Sequence, residues 1–124
     1  MSDLINLDDI DILHERKMKG DIEYLLIKFD GKLITDNVSN LTEELENIFE
    51  DEIIDTLLDL SNLRYVNSTG LSLLLTLWKK VINNNKKIIF FDLHPFMDEL
   101  LKMTELNSKF LIKNDFETAL DCLS

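Results

Sequence analysis

The chain has 124 residues, of which 45% are hydrophobic and 30% charged, a composition typical of one globular domain and not of a disordered chain. Its 24 acidic and 13 basic side chains give a net charge of −11, which argues against nucleic acid or an anionic membrane surface as a partner. The N-terminal residues lack the basic and apolar regions of a signal peptide, and no segment approaches the ~20 apolar residues that span a bilayer. We therefore expect a cytoplasmic protein.

The first part of the chain predicts a β-hairpin. Residues 1–9 are acidic and weakly patterned, and we expect a loosely held lead-in there, followed by the domain itself over residues 10–124. Apolar and polar residues alternate over residues 10–15, and a turn signal at residues 19–21 separates this first strand from a second over residues 22–29. Since the second strand is apolar on both faces, we expect the hairpin to lie away from the rim of the sheet.

The rest of the chain predicts helices that alternate with strands. Apolar residues recur at helical spacing up to residue 49, and three residues could cap the start of this first helix. These candidates are Thr35, Asp36 and Asn37. The later predicted elements are a strand over residues 53–60, a helix from Ser68 or Thr69 to Ile82, a strand over 87–92, a helix that starts at Pro95, a strand over 110–112 and a last helix over 115–123, capped by Asn114 and Glu117.

The resulting order, β-β-α-β-α-β-α-β-α, predicts the α/β class. We expect an N-terminal hairpin followed by alternating helices and strands, which form a mixed sheet with the helices packed on it. In the second helix we expect one apolar stripe to face the core. This stripe comprises Leu71, Leu74, Leu75, Trp78 and Ile82. The single cysteine, Cys122, excludes an internal disulfide and a Cys-based zinc cluster, and we expect it to be a small buried hydrophobic residue.

A polar segment, Asn67-Ser68-Thr69-Gly70, separates the third strand from the second helix. It predicts that Ser68 lies on the surface at a helix N-terminus, where anionic groups are favoured. Asn, Ser and Thr are also the preferred N-cap residues, so helix capping alone is a sufficient interpretation of these side chains.

The residues that enzymes use are sparse in this sequence. Its three glycines are too dispersed for a phosphate-binding loop, and His14 and His94 lack the spacing of a helical metal site. Because His94 directly precedes Pro95, we expect it to cap a helix or to lie on the surface. A Ser-His-Asp site built on Ser68 would need a histidine nearby in space, which the sequence does not indicate.

Two carboxylate pairs, Asp8-Asp9 and Asp51-Glu52, lie in acidic runs of the chain. We expect both pairs to be solvated surface residues, since charge runs of this kind are usually exposed. The sequence therefore predicts no enzymatic activity, no metal site and no cofactor.

Residues 59–71 resemble the signature of STAS domains, and in particular that of the bacterial anti-sigma factor antagonists. Their motif is a strand that ends in Asp-Leu-Ser, a short spacer, and Asp or Asn followed by Ser-(Ser/Thr)-Gly-Leu at the start of a helix. Gly31-Lys32-Leu33 is similar to the G-x-L element of the family, and the helix start at Pro95 also agrees. The resemblance covers residues 10–123 and implies a single STAS-like domain.

The resemblance also implies a function. In this family the serine at the position of Ser68 is phosphorylated by a partner anti-sigma factor that is also a serine kinase. The unphosphorylated protein is expected to bind the kinase and to free its sigma factor. The phosphorylated form is expected to let go until a PP2C-type phosphatase resets it. The kinase supplies ATP and magnesium, and the family resemblance favours a monomer.

The partner-binding surface is expected to surround the phosphorylated serine. It would comprise Asn67, Ser68, Thr69, Gly70, Leu71 and Ser72. Gly70 is costly in a first helical turn, and either close approach of a partner backbone or packing against the preceding turn would explain it. Asn67 stands where Asp is more usual in the family. A STAS interaction module that is not phosphorylated, such as a scaffold or transporter accessory subunit, therefore remains an alternative, as does a small enzyme with Ser68 as nucleophile.

Overall fold

The computed structural model of the chain describes residues 2–49 and 52–123, and this part contains six strands and four α-helices. In chain order they are β1 (Ser2–Leu7), β2 (Ile10–Lys19), β3 (Ile22–Leu33), α1 (Thr35–Ile48), β4 (Asp55–Val66), α2 (Ser68–Asn83), β5 (Ile88–Phe91), α3 (Pro95–Met103), β6 (Leu111–Lys113) and α4 (Phe116–Leu120). A 3-10 helix at Leu106–Ser108 precedes β6. Asp51, one member of a predicted carboxylate pair, lies outside the described residues, as do Met1 and Ser124.

The six strands form one sheet in the order β1-β2-β3-β4-β5-β6. The pairs β1–β2 and β2–β3 are antiparallel, whereas β3–β4, β4–β5 and β5–β6 are parallel. Each parallel step moves the chain one strand in the same direction, so the right-handed crossover rule places α1, α2 and α3 on the same face. The predicted α/β class and mixed sheet are confirmed.

The structure corrects the lead-in predicted for residues 1–9. Ser2–Leu7 forms an antiparallel edge strand on β2, with Leu7 opposite Ile10 and Leu4 opposite Leu13. The sequence pattern here is weak because apolar Leu4 lies on the opposite face from Ile5 and Leu7, which breaks the alternation. Ile5 and Leu7 pack against the core, while Leu4 is 64% exposed. By covering β2, this strand also removes the hairpin from the rim, as predicted.

Each face of the sheet has its own hydrophobic cluster. The larger one lies under α1, α2 and α3 and includes Ile27, Leu58, Leu74, Phe90 and Met97. The smaller one lies under the C-terminal segment and consists of Tyr24, Leu57, Ile89, Phe91, Ala119 and Leu123, with Cys122 packed at its border. Cys122 is therefore half-buried and not fully buried as predicted.

The face of α2 that meets the core differs from the prediction. The buried residues of this helix are Gly70, Leu73, Leu74, Leu77 and Val81. Apart from Leu74, the predicted stripe is half-buried beside the core; Trp78, for example, contacts Phe110 with ring centroids 5.6 Å apart. The helix is apolar around most of its circumference, so apolar spacing alone does not identify its innermost side.

The N-cap residues of α1, α3 and α4 agree only in part with the predicted caps. The backbone N–H of Ile34, the N-cap of α1, donates to Asn37 Oδ1 at 3.1 Å, so the predicted N-cap residues are displaced by one to three positions. His94 caps α3 as predicted, its Nδ1 accepting from the N–H of Phe96 at 3.1 Å. In α4 the cap is Asp115 and not Asn114. Hydrogen bonds from the hydroxyl and backbone N–H of Thr118 lower the pKa of the Asp115 carboxyl.

Gly31 joins the end of β3 to the turn between β1 and β2. Its φ of +136° is one that side-chain-bearing residues rarely adopt, and a Cβ at this position would overlap the carbonyl oxygen of Asp9. That same carbonyl accepts the N–H of Lys32 at 2.8 Å. Asn37 reinforces the junction, because its Nδ2 donates to the carbonyls of Asp8 and Lys32 at 2.8 and 2.9 Å.

We predict that Gly31→Ala lowers the free energy of unfolding by about 2–4 kcal/mol, because backbone strain and overlap with Asp9 act together. Urea unfolding followed by circular dichroism measures the change. Gly20→Ala is the matched control, since Gly20 has a φ of +60° but no described residue beyond its chain neighbours within 4 Å of an added Cβ. This control should lose about 1 kcal/mol. Equal losses in the two variants would contradict the assignment of a steric role to Gly31.

Candidate functional site

The predicted site lies at the carboxyl ends of the parallel strands β3 and β4, where open α/β sheets usually carry their functional groups. β4 runs to Val66 and α2 begins at Ser68, so Asn67 alone connects them. The prediction ended this strand at Leu60 and placed a short connection after it, which is wrong. Residues 61–66 continue the strand, and four of them pair with β3, namely Asn62, Leu63, Tyr65 and Val66.

The Asp-Leu-Ser sequence forms a bulge that explains the error. Lys28 pairs with Asp59 and Asp30 with Asn62, so two residues of β4 lie opposite the single residue Phe29. Asp59 supports the bulge, because its Oδ1 accepts both the N–H and the hydroxyl of Ser61, at 3.0 and 2.7 Å. The motif thus bends β4 in the segment that leads to Ser68.

Asn67 is the N-cap of α2. Its Oδ1 accepts the N–H of Gly70 at 3.0 Å, and its carbonyl accepts the first intrahelical hydrogen bond, from Leu71, at 2.9 Å. Its own N–H donates to the carbonyl of Leu33 at 3.2 Å, which ties the turn to the end of β3. Capping is therefore carried out by Asn67, and the Ser68 side chain is not needed for it.

The Ser68 side chain is exposed at the first position of α2. Within the described residues, Ser68 makes hydrogen bonds through its backbone and not through its hydroxyl. The Ser68 carbonyl accepts a hydrogen bond from the Ser72 hydroxyl at 3.0 Å. The Ser68 hydroxyl therefore has no hydrogen-bond partner within residues 2–49 and 52–123.

The neighbouring hydroxyl of Thr69 is engaged. Asn67 Nδ2 donates to Thr35 Oγ1 at 3.1 Å, and Thr35 Oγ1 donates to Thr69 Oγ1 at 3.0 Å. Thr35 was expected only as a possible cap of the first helix, so this contact was missed. The parallel pairing of β3 and β4 could have indicated it, because their carboxyl ends lie side by side and Thr35 closely follows β3.

Gly70 is buried, and a Cβ added to it would overlap the carbonyl oxygen of Leu33. Packing within the chain, one of the two explanations considered for this glycine, therefore accounts for it. The other residues of the predicted partner surface reach the solvent to different degrees. Ser68 and Ser72 are exposed, whereas Asn67, Thr69 and Leu71 are half-buried. Their role in partner binding remains a prediction.

The histidine and acidic side chains of residues 2–49 and 52–123 are the other candidates for chemistry. Neither histidine of this part hydrogen-bonds to Ser68: His94 caps α3, and His14 lies within β2 opposite Ile27. The same residues contain no group of three or more His, Cys, Asp or Glu side chains that could hold a metal ion. No helix among them is both long enough and apolar enough to cross a bilayer. Of the predicted solvated carboxylates, Asp8, Asp9 and Glu52 are exposed.

Comparison with known proteins agrees with this architecture. The family model "STAS domain" matches residues 15–119. An anti-sigma factor antagonist from Mycobacterium paratuberculosis has a similar structure, with a TM-score of 0.74 and 16% identity over 90% of this chain and 93% of that one. The phosphorylated form of the Bacillus cell fate determinant SpoIIAA gives a TM-score of 0.63 and 18% identity over 90% and 99% of the two chains. A variant of Moorella thermoacetica RsbS gives 0.67 and 15% over 98% and 93%. At these identities the likeness concerns the fold.

We predict that Asn67→Ala lowers the free energy of unfolding by about 1–2 kcal/mol, because it removes the cap and leaves the Gly70 N–H without its acceptor. Asn67→Asp should stay within about 0.5 kcal/mol of the wild type, since a carboxylate can accept the same bond at a helix N-terminus. Thermal unfolding by calorimetry compares the two variants. A loss in Asn67→Asp as large as in Asn67→Ala would show that the Asn67 amide group is itself required.

Gly70→Ala tests the contact between α2 and β3. Alanine favours a helix over glycine by about 1 kcal/mol, but overlap with the Leu33 carbonyl should outweigh this and lower the free energy of unfolding by about 2 kcal/mol. Ser72→Ala, on the exposed side of the same helix, should change it by less than about 0.5 kcal/mol. Chemical unfolding of both variants measures the difference. A stabilised Gly70→Ala variant would contradict the steric explanation.

Proposed function

This chain belongs to the STAS domain family, and on that basis we propose that it is an anti-sigma factor antagonist whose binding is switched by phosphorylation of Ser68. The unphosphorylated protein binds an anti-sigma factor that is also a serine kinase, and the sigma factor is released. Phosphorylation of Ser68 ends this binding until a PP2C-type phosphatase removes the phosphate. We also propose that the protein is cytoplasmic and monomeric.

The observation that carries the proposal is the division of roles between Asn67 and Ser68. Asn67 caps α2 with its side chain, whereas the adjacent Ser68 hydroxyl is exposed and makes no contact that the fold needs. A serine retained only for capping would be expected to accept a backbone N–H of the first turn. Support also comes from SpoIIAA, a protein of similar fold whose structure has been determined both with and without phosphate.

The proposed reaction is a phosphoryl transfer on the kinase. Ser68 Oγ forms a bond to the γ-phosphorus of ATP, while the bond from that phosphorus to the bridging oxygen breaks and its electron pair leaves on ADP. The hydroxyl proton passes to a base of the kinase. This chain supplies the nucleophile alone, and the kinase supplies the ATP and magnesium sites.

A phosphate at this position would act on the interface more than on the fold. It adds about −1.5 to −2 charges, and the dipole of α2 favours such a charge at its N-terminus by roughly 0.3–1 kcal/mol. At an interface the same group must lose water and fit beside the partner, which is costly unless a cation meets it. On a chain of net charge −11, added negative charge also strengthens repulsion from acidic partners.

The alternative is a STAS interaction module that is not phosphorylated. Asn67 favours it, because the family more often has Asp there and Asn lacks the negative charge beside the acceptor hydroxyl. In that case the same surface around Ser68, with Thr69, Leu71 and Ser72, would bind a partner constitutively.

We predict that Ser68→Ala binds the cognate kinase without being released by ATP, whereas Ser68→Asp binds it at least about tenfold more weakly. Calorimetric titration against a panel of anti-sigma factor serine kinases measures the affinities. Intact mass after incubation with ATP and magnesium measures phosphate uptake, which Ser68→Ala should abolish.

Thr76→Ala is the control, because Thr76 is exposed on α2 two turns beyond Ser68 and bonds the carbonyl of Ser72. It should take up phosphate like the wild type. Equal kinase binding by Ser68→Ala and Ser68→Asp would refute the switch. Full phosphorylation of Ser68→Ala would identify Thr69 as the acceptor, and a kinase that binds without phosphorylating the protein would support the interaction module.

A further inference from the structure

Thr35 reaches the Asn67 turn from the other side of the β3–β4 junction. It is 32 residues from Asn67 and 34 residues from Thr69 along the chain, yet its hydroxyl bonds both. A hydroxyl has one proton and two acceptor sites, so Thr35 can accept the Asn67 amide and still donate to Thr69. The Asn67 amide oxygen accepts the Gly70 N–H, which fixes the direction of the amide NH₂ group. This group therefore orients the hydroxyl of Thr35 and, through it, that of Thr69.

This bridge is not part of the capping of α1. The N-terminus of α1 is supported by Asn37, whose Oδ1 accepts the N–H of Ile34 at 3.1 Å. Thr35 is the first residue of α1 and is exposed, so burial does not explain its hydroxyl either. Its two side-chain bonds are directed to the turn that presents Ser68.

We propose that Thr35 is a positioning residue that selects Ser68 over Thr69 as the phosphate acceptor, an inference that rests on the proposed function. Two adjacent hydroxyls precede the first buried residue of α2, and a kinase could use either. The Thr69 oxygen accepts a hydrogen bond from the Thr35 hydroxyl, which uses one of its two lone pairs and holds its rotamer. The Ser68 oxygen carries no such bond and is exposed.

The selection follows from what the transfer step requires. The attacking oxygen uses a lone pair to bond the γ-phosphorus of ATP, the bond to ADP breaks with its electron pair on ADP, and the hydroxyl proton goes to a base of the kinase. Attack by Thr69 would use the one lone pair that the bond from Thr35 leaves free, in a rotamer that this bond restricts, whereas the Ser68 oxygen has no such restriction. The net strength of one neutral hydrogen bond corresponds to a preference of about two- to tenfold.

Three variants separate positioning from stability. Thr35→Ala removes both bonds, and Thr35→Ser retains a hydroxyl able to make them. Thr42→Ala is the matched control, because Thr42 lies on the same helix and its hydroxyl bonds the Val38 carbonyl at 2.8 Å, within that helix.

The first measurement needs no kinase. Amide hydrogen exchange by NMR follows the side-chain NH₂ of Asn67 and the backbone N–H of Gly70, which the Asn67 side chain holds. Thr35→Ala should speed exchange at both groups by about two- to tenfold. Thr35→Ser and Thr42→Ala should match the wild type. Unchanged exchange in Thr35→Ala would overturn the positioning role.

The second measurement maps phosphate between Ser68 and Thr69 by fragment mass spectrometry, after incubation with anti-sigma factor serine kinases, ATP and magnesium. In Thr35→Ala the share of phosphate on Thr69 should rise by about two- to tenfold, and Thr35→Ser should restore the wild-type pattern. Phosphate on Ser68 alone in both wild type and Thr35→Ala would overturn the selection but not the proposed function. A wild type that accepts no phosphate from any kinase would overturn both.

Discussion

The carbonyl oxygen of Leu33 holds together the end of the sheet that carries the candidate site. It accepts the N–H of Asn67 at 3.2 Å, and it lies so close to Gly70 that no side chain fits between them. The first contact joins the ends of β3 and β4, and the second sets how closely α2 approaches the sheet. Because Gly70 must face inward, the residues two positions to either side of it, Ser68 and Ser72, are directed outward.

This constraint also explains why the core face of α2 differs from the prediction. Apolar side chains surround most of the helix, so several rotations about its axis would bury similar apolar areas. The contact between Gly70 and Leu33 favours the rotation that buries Leu73 and Leu77, and it leaves Trp78 beside the core against Phe110. A glycine in a first helical turn was the only sign of this in the sequence.

Strands and helices with a regular apolar pattern could be predicted from the sequence. Strand segments that form because they pair with a neighbouring strand could not. The alternation of buried strands and amphipathic helices indicated a mixed α/β sheet. The antiparallel pairs β1–β2 and β2–β3 and the parallel pairs β3–β4, β4–β5 and β5–β6 confirm it. β1 was missed, because Leu4 faces solvent and two residues, Ile5 and Leu7, supply its contact with the core. The end of β4 was misplaced because the bulge at Ser61 interrupts the apolar pattern while the strand itself continues.

The candidate site divides in the same way. Ser68 at the start of a helix, with a capping residue beside it, follows from local sequence preferences. The reason for Gly70 is its contact with Leu33, and Asn67 is bonded by Thr35, so both features depend on residues more than 30 positions away in the chain. Such contacts require the register of β3 against β4, which one sequence alone does not provide.

A turn held in this way can carry a chemical signal without a change of fold. Hydrogen bonds hold Asn67: its N–H donates to the Leu33 carbonyl, its Oδ1 accepts the N–H of Gly70, and its Nδ2 donates to Thr35. A group added to the neighbouring Ser68 oxygen need not displace any of these bonds. The dipole of α2 favours negative charge at that position. In the proposed switch, a phosphate on Ser68 would then change the affinity for a partner and not the free energy of unfolding of the domain. If Ser68 itself were the cap, the same modification would change the helix start and the partner contact together. Because Asn67 supplies the cap, the proposed acceptor Ser68 can be modified without loss of the cap.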